Sequence, residues 1–133
     1  MSQVAGSKSL TAGGLMAALA VAGGAFGAHG LEERLEPAAL ELWNTAFHYL
    51  MVSALGTLAG GVMARLGLAT AWGSACLAGG GLIFAGTVAA LALGGPRWLG
   101  AITPIGGTGL IIGFLGLAWA GWRGRSRISP PAS

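Results

Sequence analysis

This sequence contains four long stretches without a charged side chain. They lie between Lys8 and Glu32, between Glu41 and Arg65, between Arg65 and Arg97, and between Arg97 and Arg123. Each stretch is longer than the roughly 20 residues that a helix needs to cross a hydrocarbon core about 30 Å thick. The pattern therefore predicts an all-α integral membrane bundle of four transmembrane helices.

The composition agrees with a membrane protein rather than a soluble domain. Charged residues make up 8% of the 133 residues and hydrophobic residues 54%, whereas about a quarter of the residues of soluble domains are charged. In water, such a chain would expose large apolar patches that favour aggregation. In a bilayer, lipid solvates the same surface.

The apolar runs place the four spans at about residues 10–28, 44–64, 72–93 and 104–122. A polar N-terminal arm, residues 1–9, precedes this transmembrane domain, and a basic tail, residues 123–133, follows it. We expect the tail to be disordered. The first run is longer than the 7–15 apolar residues of a typical secretory signal, so we interpret it as a span, with a cleaved signal as the alternative.

Two prolines mark predicted helix starts. Pro37 predicts a helix that begins near it and continues into the second span, because proline fits a first helical turn. We interpret the polar segment before it as an interfacial connector, with a docking surface as the alternative. Thr103 and Pro104 resemble an N-cap followed by proline at the first helical position. The alternative for the last span is a longer helix that is kinked at Pro104.

Glycine is unusually abundant, with 26 residues. In a membrane, small residues four apart let helix backbones approach closely. Such spacing occurs in three spans, in the pairs Gly23 and Gly27, Gly56 and Gly60, and Gly109 and Gly113. The third span carries Gly79–Gly81 and Gly86. We expect these faces to hold a tight intramolecular bundle rather than a dedicated dimer interface.

Lysine and arginine are distributed unevenly between the two sides of the predicted membrane. With four spans, both termini lie on one side with five of the seven basic residues, namely Lys8, Arg65, Arg123, Arg125 and Arg127. Arg34, Arg97 and the four acids lie on the other side. Because cytoplasmic flanks carry the excess of Lys and Arg, the count predicts a multi-pass protein of the cell (inner) membrane with both termini in the cytoplasm.

Most catalytic signatures are missing. The sequence contains no Asp for a Ser-His-Asp triad, and it lacks both the P-loop lysine and the dinucleotide glycine spacing. No charged residue lies near the centre of a span, which argues against a coupled transporter. We expect a non-enzymatic structural or accessory component without a cofactor or nucleic acid, whose partners are the lipid bilayer and a second copy or another membrane protein. The alternative is a small oligomeric permease or channel.

His29 and His48 are the main candidates for a site. His29 ends the first span and His48 begins the second, so both lie at the outer interface and could approach each other. Imidazole pairs bind metal or haem, and Glu32 or Glu33 could add a ligand. A metal- or haem-binding protein is therefore the second alternative, although interfacial polar residues need no function to lie there.

Three motifs give the chain a family resemblance. They are Gly24–Leu31 (GAFGAHGL), Leu42–Ala46 (LWNTA) with Tyr49, and Thr103–Gly107 (TPIGG). Together they resemble domain-of-unknown-function family 423, small membrane proteins that include eukaryotic transmembrane protein 256. The resemblance runs from about Leu15 to Ala120 and implies a multi-pass membrane protein without an established biochemical activity.

The chain departs from this family at several polar positions. Family members often carry Gln and His where this chain has Leu50 and Ser53, and serines near Ala85 and Thr87. His29 and the Thr103–Gly107 motif are retained. The candidates for an outer-face site are therefore His29, His48, Thr103 and Pro104.

Overall fold

The computed structural model describes residues 2–68 and 71–128, which form four long helices. They are α1 (Ser2–Phe26), which continues into one π-helical turn (Gly27–Leu31), α2 (Pro37–Arg65), α3 (Ala71–Ala92) and α4 (Leu99–Ile128). No strand occurs in these two ranges. Each helix contains a stretch long and apolar enough to cross a membrane, with mean hydropathy between 1.4 and 1.9. The predicted all-α membrane fold with four spans is confirmed.

The helices pack in chain order. α1 packs against α2, α2 against α3, and α3 against α4, whereas α1 meets α3 over a short stretch and α2 barely touches α4. Within the described residues, α1 and α4 make no contact. The four helices therefore form a folded row with α2 and α3 at its centre, rather than a closed bundle.

Glycines bring neighbouring backbones into direct contact. A Cβ atom added to Gly80 of α3 would lie 2.8 Å from the Gly106 carbonyl oxygen and 2.9 Å from the Leu110 nitrogen, both in α4. The predicted pairs on α1, α2 and α4 also lie against neighbouring helices, whereas Gly79 and Gly86 face open space. The small-residue faces of α1, α2 and α4 therefore pack helices together within the chain.

Two glycines with positive φ end α2 and α3. After α2, Gly67 has a φ of 73°, and the Leu68 N–H donates to the Met63 carbonyl at 2.8 Å. After α3, Gly94 has a φ of 89°, and the Gly95 N–H donates to the Ala90 carbonyl at 2.8 Å. Both ends are Schellman motifs, in which a left-handed residue lets the chain satisfy the last carbonyls and turn away.

The start of α2 agrees with the sequence prediction, but the start of α4 does not. Pro37 is the first residue of α2. α4, by contrast, begins at Leu99 and carries Pro104 inside it, so the prediction of a helix start at Pro104 is wrong and the alternative of a longer helix through Pro104 is the one observed. Pro96 already initiates this helix, because the Leu99 N–H donates to the Pro96 carbonyl at 3.1 Å. Transmembrane helices tolerate an internal proline because their surroundings satisfy the freed backbone groups.

Helix also extends into both predicted polar ends. α1 begins at Ser2, where the sequence predicted an N-terminal arm, and Gly6 packs against Arg65 and the Gly61 carbonyl of α2. α4 continues through residues 123–128 of the predicted disordered tail, in which no proline occurs before Pro130. Residues 129–133 of that tail lie outside the described residues.

The glycine contact between α3 and α4 can be tested with two adjacent substitutions. We expect Gly80→Ala to lower the free energy of unfolding by roughly 1–3 kcal/mol, because the new methyl group forces two backbones apart. Gly79→Ala is the matched control, since a Cβ atom there meets nothing within 4 Å. Thermal unfolding in detergent micelles measures both variants, and equal midpoints for the two would contradict the proposed contact.

Candidate functional site

An apolar groove runs between α2 and α4 with part of α3 as its floor. It has a volume of about 1040 Å³. Its lining residues come from three helices and are Thr45, Tyr49 and Val52 of α2, Phe84 of α3, and Pro104, Gly107, Thr108, Leu110, Ile111, Phe114, Leu115 and Ala118 of α4. None of them is charged. The groove exists because α3 separates α2 from α4 along most of their length.

A smaller cavity, lined in part by polar side chains, adjoins one end of this groove. Its volume is about 450 Å³, and it shares Thr45 and Tyr49 with the larger groove. His48, Glu41 and Asn44 of α2 also line it. The Tyr49 ring packs edge-on against both Phe84, at 5.0 Å between ring centroids, and His48, at 5.4 Å. Tyr49 thus connects the polar end of the site to its apolar floor.

Thr103 joins α4 to α3 next to Pro104. Its Oγ1 lies 2.8 Å from the Thr87 Oγ1, so one hydroxyl donates a hydrogen bond to the other. Each hydroxyl has one proton. The threonine that accepts this hydrogen bond can therefore donate its proton to a backbone carbonyl in the helix to which it belongs. Thr87 reaches the Ile83 carbonyl at 2.8 Å, and Thr103 reaches the Leu99 carbonyl at 3.1 Å. Thr103 is therefore an interhelical contact rather than a helix cap.

His29 lies apart from this site. It is exposed on the π-helical turn and does not line the cavity that contains His48. α1 packs on the face of α2 that carries Trp43 and Phe47. His48 follows Phe47 and is therefore turned by about 100° away from that contact. The structure brings His48, Pro104 and Tyr49 to neighbouring surfaces, and His29 to a different one.

The arrangement does not supply a ligand set for a metal. Within the described residues, no three His, Cys, Asp or Glu side chains come together in a way that could hold an ion. His29 does not line the cavity that contains His48, so the hypothesis that both ligate one metal or haem has no geometric support. What the site offers instead is an apolar surface with hydroxyl and imidazole groups at one end.

The sequence did not reveal that Trp43 of the LWNTA motif is a buried contact between helices. The structure buries Trp43 to 8% exposure, and its Nε1 donates to the Gly23 carbonyl of α1 at 2.8 Å. Its ring also packs against Phe47, at 4.7 Å between centroids. Gly23 on α1 and Gly27 on the π-helical turn leave room for these rings. The spacing of Gly23 and Gly27 predicted a close contact with another helix. It did not show that Phe47 and Trp43 of α2 fill the space.

Comparison with known proteins agrees with the fold. Residues 23–107 match the family described as "Protein of unknown function (DUF423)". The chain belongs to this family. The resemblance predicted from the three sequence motifs is therefore confirmed.

Relatives occur in bacteria and in a fungus. A UPF0382 membrane protein of Staphylococcus epidermidis is 43% identical over 109 residues, which cover 81% of this chain and 89% of the relative. YwdK, a UPF0382 membrane protein of Bacillus subtilis, is 38% identical over 77% of this chain and 86% of its own length. A UPF0382 membrane protein of Schizosaccharomyces pombe is 37% identical over 72% of this chain and 86% of its own length. No solved structure matches the chain.

Two positions at which we expected DUF423 members to be polar are filled with apolar side chains here. Leu50 and Ala85 are buried in one core cluster with Met16 and Ala46. Ser53 is also buried, and its hydroxyl donates to the Leu50 carbonyl at 2.9 Å. In this DUF423 chain the contact region of α2 and α3 is therefore a packed core. The Thr87 hydroxyl lies outside it and forms its hydrogen bond with Thr103.

The hydroxyl pair of α3 and α4 can be measured by a double-mutant cycle. We expect Thr87→Val and Thr103→Val to show a coupling of about 0.6 kcal/mol in unfolding free energy, which is typical of such bonds in membranes. Thr108→Val supplies the matched control, since its hydroxyl donates to Pro104 within its own helix at 2.7 Å. Coupling between Thr87 and Thr108 as large as that between Thr87 and Thr103 would refute the assignment.

Proposed function

We propose that this DUF423 protein is a non-enzymatic accessory component of the membrane, which holds a transmembrane helix of a partner membrane protein in the groove between α2 and α4. The observation that carries the proposal is the groove itself, which is long, apolar and open along one side. It has no charged lining residue.

The shape of the groove suits a helix. Lining positions on α4 recur at three- and four-residue intervals, as in Pro104, Gly107, Ile111, Phe114 and Ala118. Thr45, Tyr49 and Val52 follow the same spacing on α2. Residues at such intervals form one face of a helix. Because only α3 lies between them in the chain, α2 and α4 cross the membrane in the same direction. A helix of a partner protein can therefore pack between the ridges of these two helices.

The same geometry favours an accessory role over the alternative of a channel. A pore needs a polar path through the membrane or a row of carbonyls or charged groups that replaces water around an ion. The groove between α2 and α4 opens sideways, and most of its lining residues are aliphatic or aromatic. A surface of this kind supports binding of another apolar element rather than passage of a solute.

We also propose that the protein lies in the cell (inner) membrane with both termini in the cytoplasm. Lys8 on α1, Arg65 at the end of α2 and Arg123 on α4 lie at one end of the helical row. The four acidic residues belong to the other end, where Glu32, Glu33 and Glu36 lie in the connection between α1 and α2 and Glu41 lies near the start of α2. This charge asymmetry supports the orientation through the positive-inside rule.

Site-directed photo-crosslinking tests the groove as a binding surface. With benzoylphenylalanine at Ile111, which lines the groove, we expect an adduct of one defined protein mass in native membranes. Ile112 is the matched control, because it is 47% exposed but lies outside the groove. Adducts only to lipid at position 111, or the same protein adduct from both positions, would contradict the proposal.

Cysteine labelling tests the orientation. Cys76 is the one cysteine of the sequence, so Cys76→Ser provides a background for Ser7→Cys and Glu33→Cys, at exposed positions on opposite ends. We expect a membrane-impermeant maleimide to label position 33 on intact cells and position 7 after permeabilisation. Labelling of position 7 on intact cells would reverse the proposed orientation.

A further inference from the structure

α4 lies at one edge of the row and leaves a broad apolar face without a partner in its own chain. α3 covers one side of it, and α2 barely touches it. On the uncovered side, Ile111 and Leu115 are each 63% exposed. Both residues also line the groove between α2 and α4. The same helix therefore forms one wall of the groove and carries an apolar surface that could fill a groove of this kind.

The α4 wall of the groove has the spacing of helices that pack lengthwise. Steps of four and three residues alternate along it, in the series Pro104, Thr108, Ile111, Leu115 and Ala118. Such alternation is the spacing of a coiled-coil seam, in which two helices pack side by side at a shallow angle. We call this series the α4 seam.

The facing side of α2 has a matching seam. Steps of four, three and four residues separate Glu41, Thr45, His48 and Val52, each of which lines the groove or the smaller cavity at its end. We call this series the α2 seam. A copy of α4 that entered the groove in parallel orientation would lay its own seam along the α2 seam.

A two-fold axis parallel to the helices makes this contact reciprocal. α4 of one copy then enters the groove of the second copy, and α4 of the second enters the groove of the first. Both copies use the same surface, which is the isologous arrangement of two-fold homodimers. The assembly closes at two copies, because each groove is filled by the helix that borders the other groove.

Opposite charges lie at one end of this surface. Glu41 begins the α2 seam and lines the smaller cavity. Arg97 is exposed and comes two residues before the start of α4. Within the described residues, neither side chain has an ion-pair partner in its own chain. Opposite charges on the two sides of an interface favour the correct partner and fix its register.

The two charges lie at the same depth. The Tyr49 ring packs against Phe84 at 5.0 Å between centroids, and a Cβ atom added to Gly106 would lie 2.9 Å from the Phe84 Cα. Tyr49 and Gly106 are therefore at one level. Glu41 precedes Tyr49 by eight residues and Arg97 precedes Gly106 by nine, so both lie roughly 12–13 Å from that level at 1.5 Å per residue. In a parallel pair, Arg97 of the second copy thus comes beside Glu41 of the first.

We infer that the helix in the groove is α4 of a second copy of this chain, in a parallel two-fold dimer in which each Glu41 carboxylate pairs with Arg97 of the other copy. This inference rests on the proposed function, since it names the helix that the groove holds. The two seams supply the apolar contact, and the two ion pairs set the register of the helices.

Energy transfer between fluorescently labelled copies in lipid vesicles tests the inference. The full-length protein with Cys76→Ser carries its label at Ser7→Cys, an exposed position far from Glu41. We expect the wild type to dimerise, and Glu41→Arg or Arg97→Glu alone to weaken dimerisation by about tenfold or more, because each variant replaces two ion pairs with two like-charged contacts. The double variant exchanges the charges and should restore the dimer.

Matched variants separate this interface from general effects of charge and size. Glu33→Arg makes the same charge reversal at an exposed position outside the smaller cavity and should dimerise like the wild type. Ile111→Trp places a bulky ring in the groove and should weaken the dimer, whereas Ile112→Trp lies outside the groove and should not. All of these side chains are exposed, so the fold of the single chain does not depend on them.

The inference is overturned if the wild type is monomeric in vesicles, if the double variant is as weak as the single variants, or if Glu33→Arg weakens the dimer as much as Glu41→Arg. Photo-crosslinking from position 111 distinguishes this failure from failure of the proposed function. An adduct with twice the mass of the chain supports both assignments. An adduct with a different protein overturns the second copy alone, and adducts only to lipid overturn both.

Discussion

Close approach of helix backbones is the interaction on which this fold depends. Hydrocarbon offers no hydrophobic drive for one apolar helix to leave lipid for another, so attraction comes from packing at short range. Gly80 and Gly106 allow α3 and α4 to meet without intervening side chains. Where the approaching residues are larger, as at Trp43, a glycine on the facing helix provides the space. The order of the helices in the row follows from these contacts between chain neighbours.

A row, unlike a closed bundle, leaves two long surfaces between alternate helices. The surface between α2 and α4 is apolar over most of its length, with Tyr49 and Thr45 at one end. The surface between α1 and α3 instead contains Lys8 and Ser74 near the basic end. One architecture thus presents two chemically different sides to the membrane.

The sequence predicted those features that depend on local composition. Four charge-free stretches determine four spans, Pro37 marks the start of α2, and glycine pairs mark the helix contacts. It could not choose between a helix that starts at Pro104 and a longer helix that contains it, because proline suits a first helical turn and is also tolerated inside a transmembrane helix. It also could not show which faces meet. The sequence places His29 and His48 near the same end, yet only His48 lines the cavity beside Tyr49. For the same reason, the sequence could not show that the Trp43 Nε1 donates a hydrogen bond to the Gly23 carbonyl, or that the buried Ser74 hydroxyl has no partner.

The helices differ considerably in length. α3 has 22 residues and α4 has 30, or about 33 Å and 45 Å at 1.5 Å per residue. A hydrocarbon core about 30 Å thick accommodates α3 almost upright, whereas α4 is too long to be contained in it. α4 continues through Arg123 without a break, so its last turns stand in the aqueous phase. A soluble factor that approaches from that side would meet helical backbone as far as Ile128.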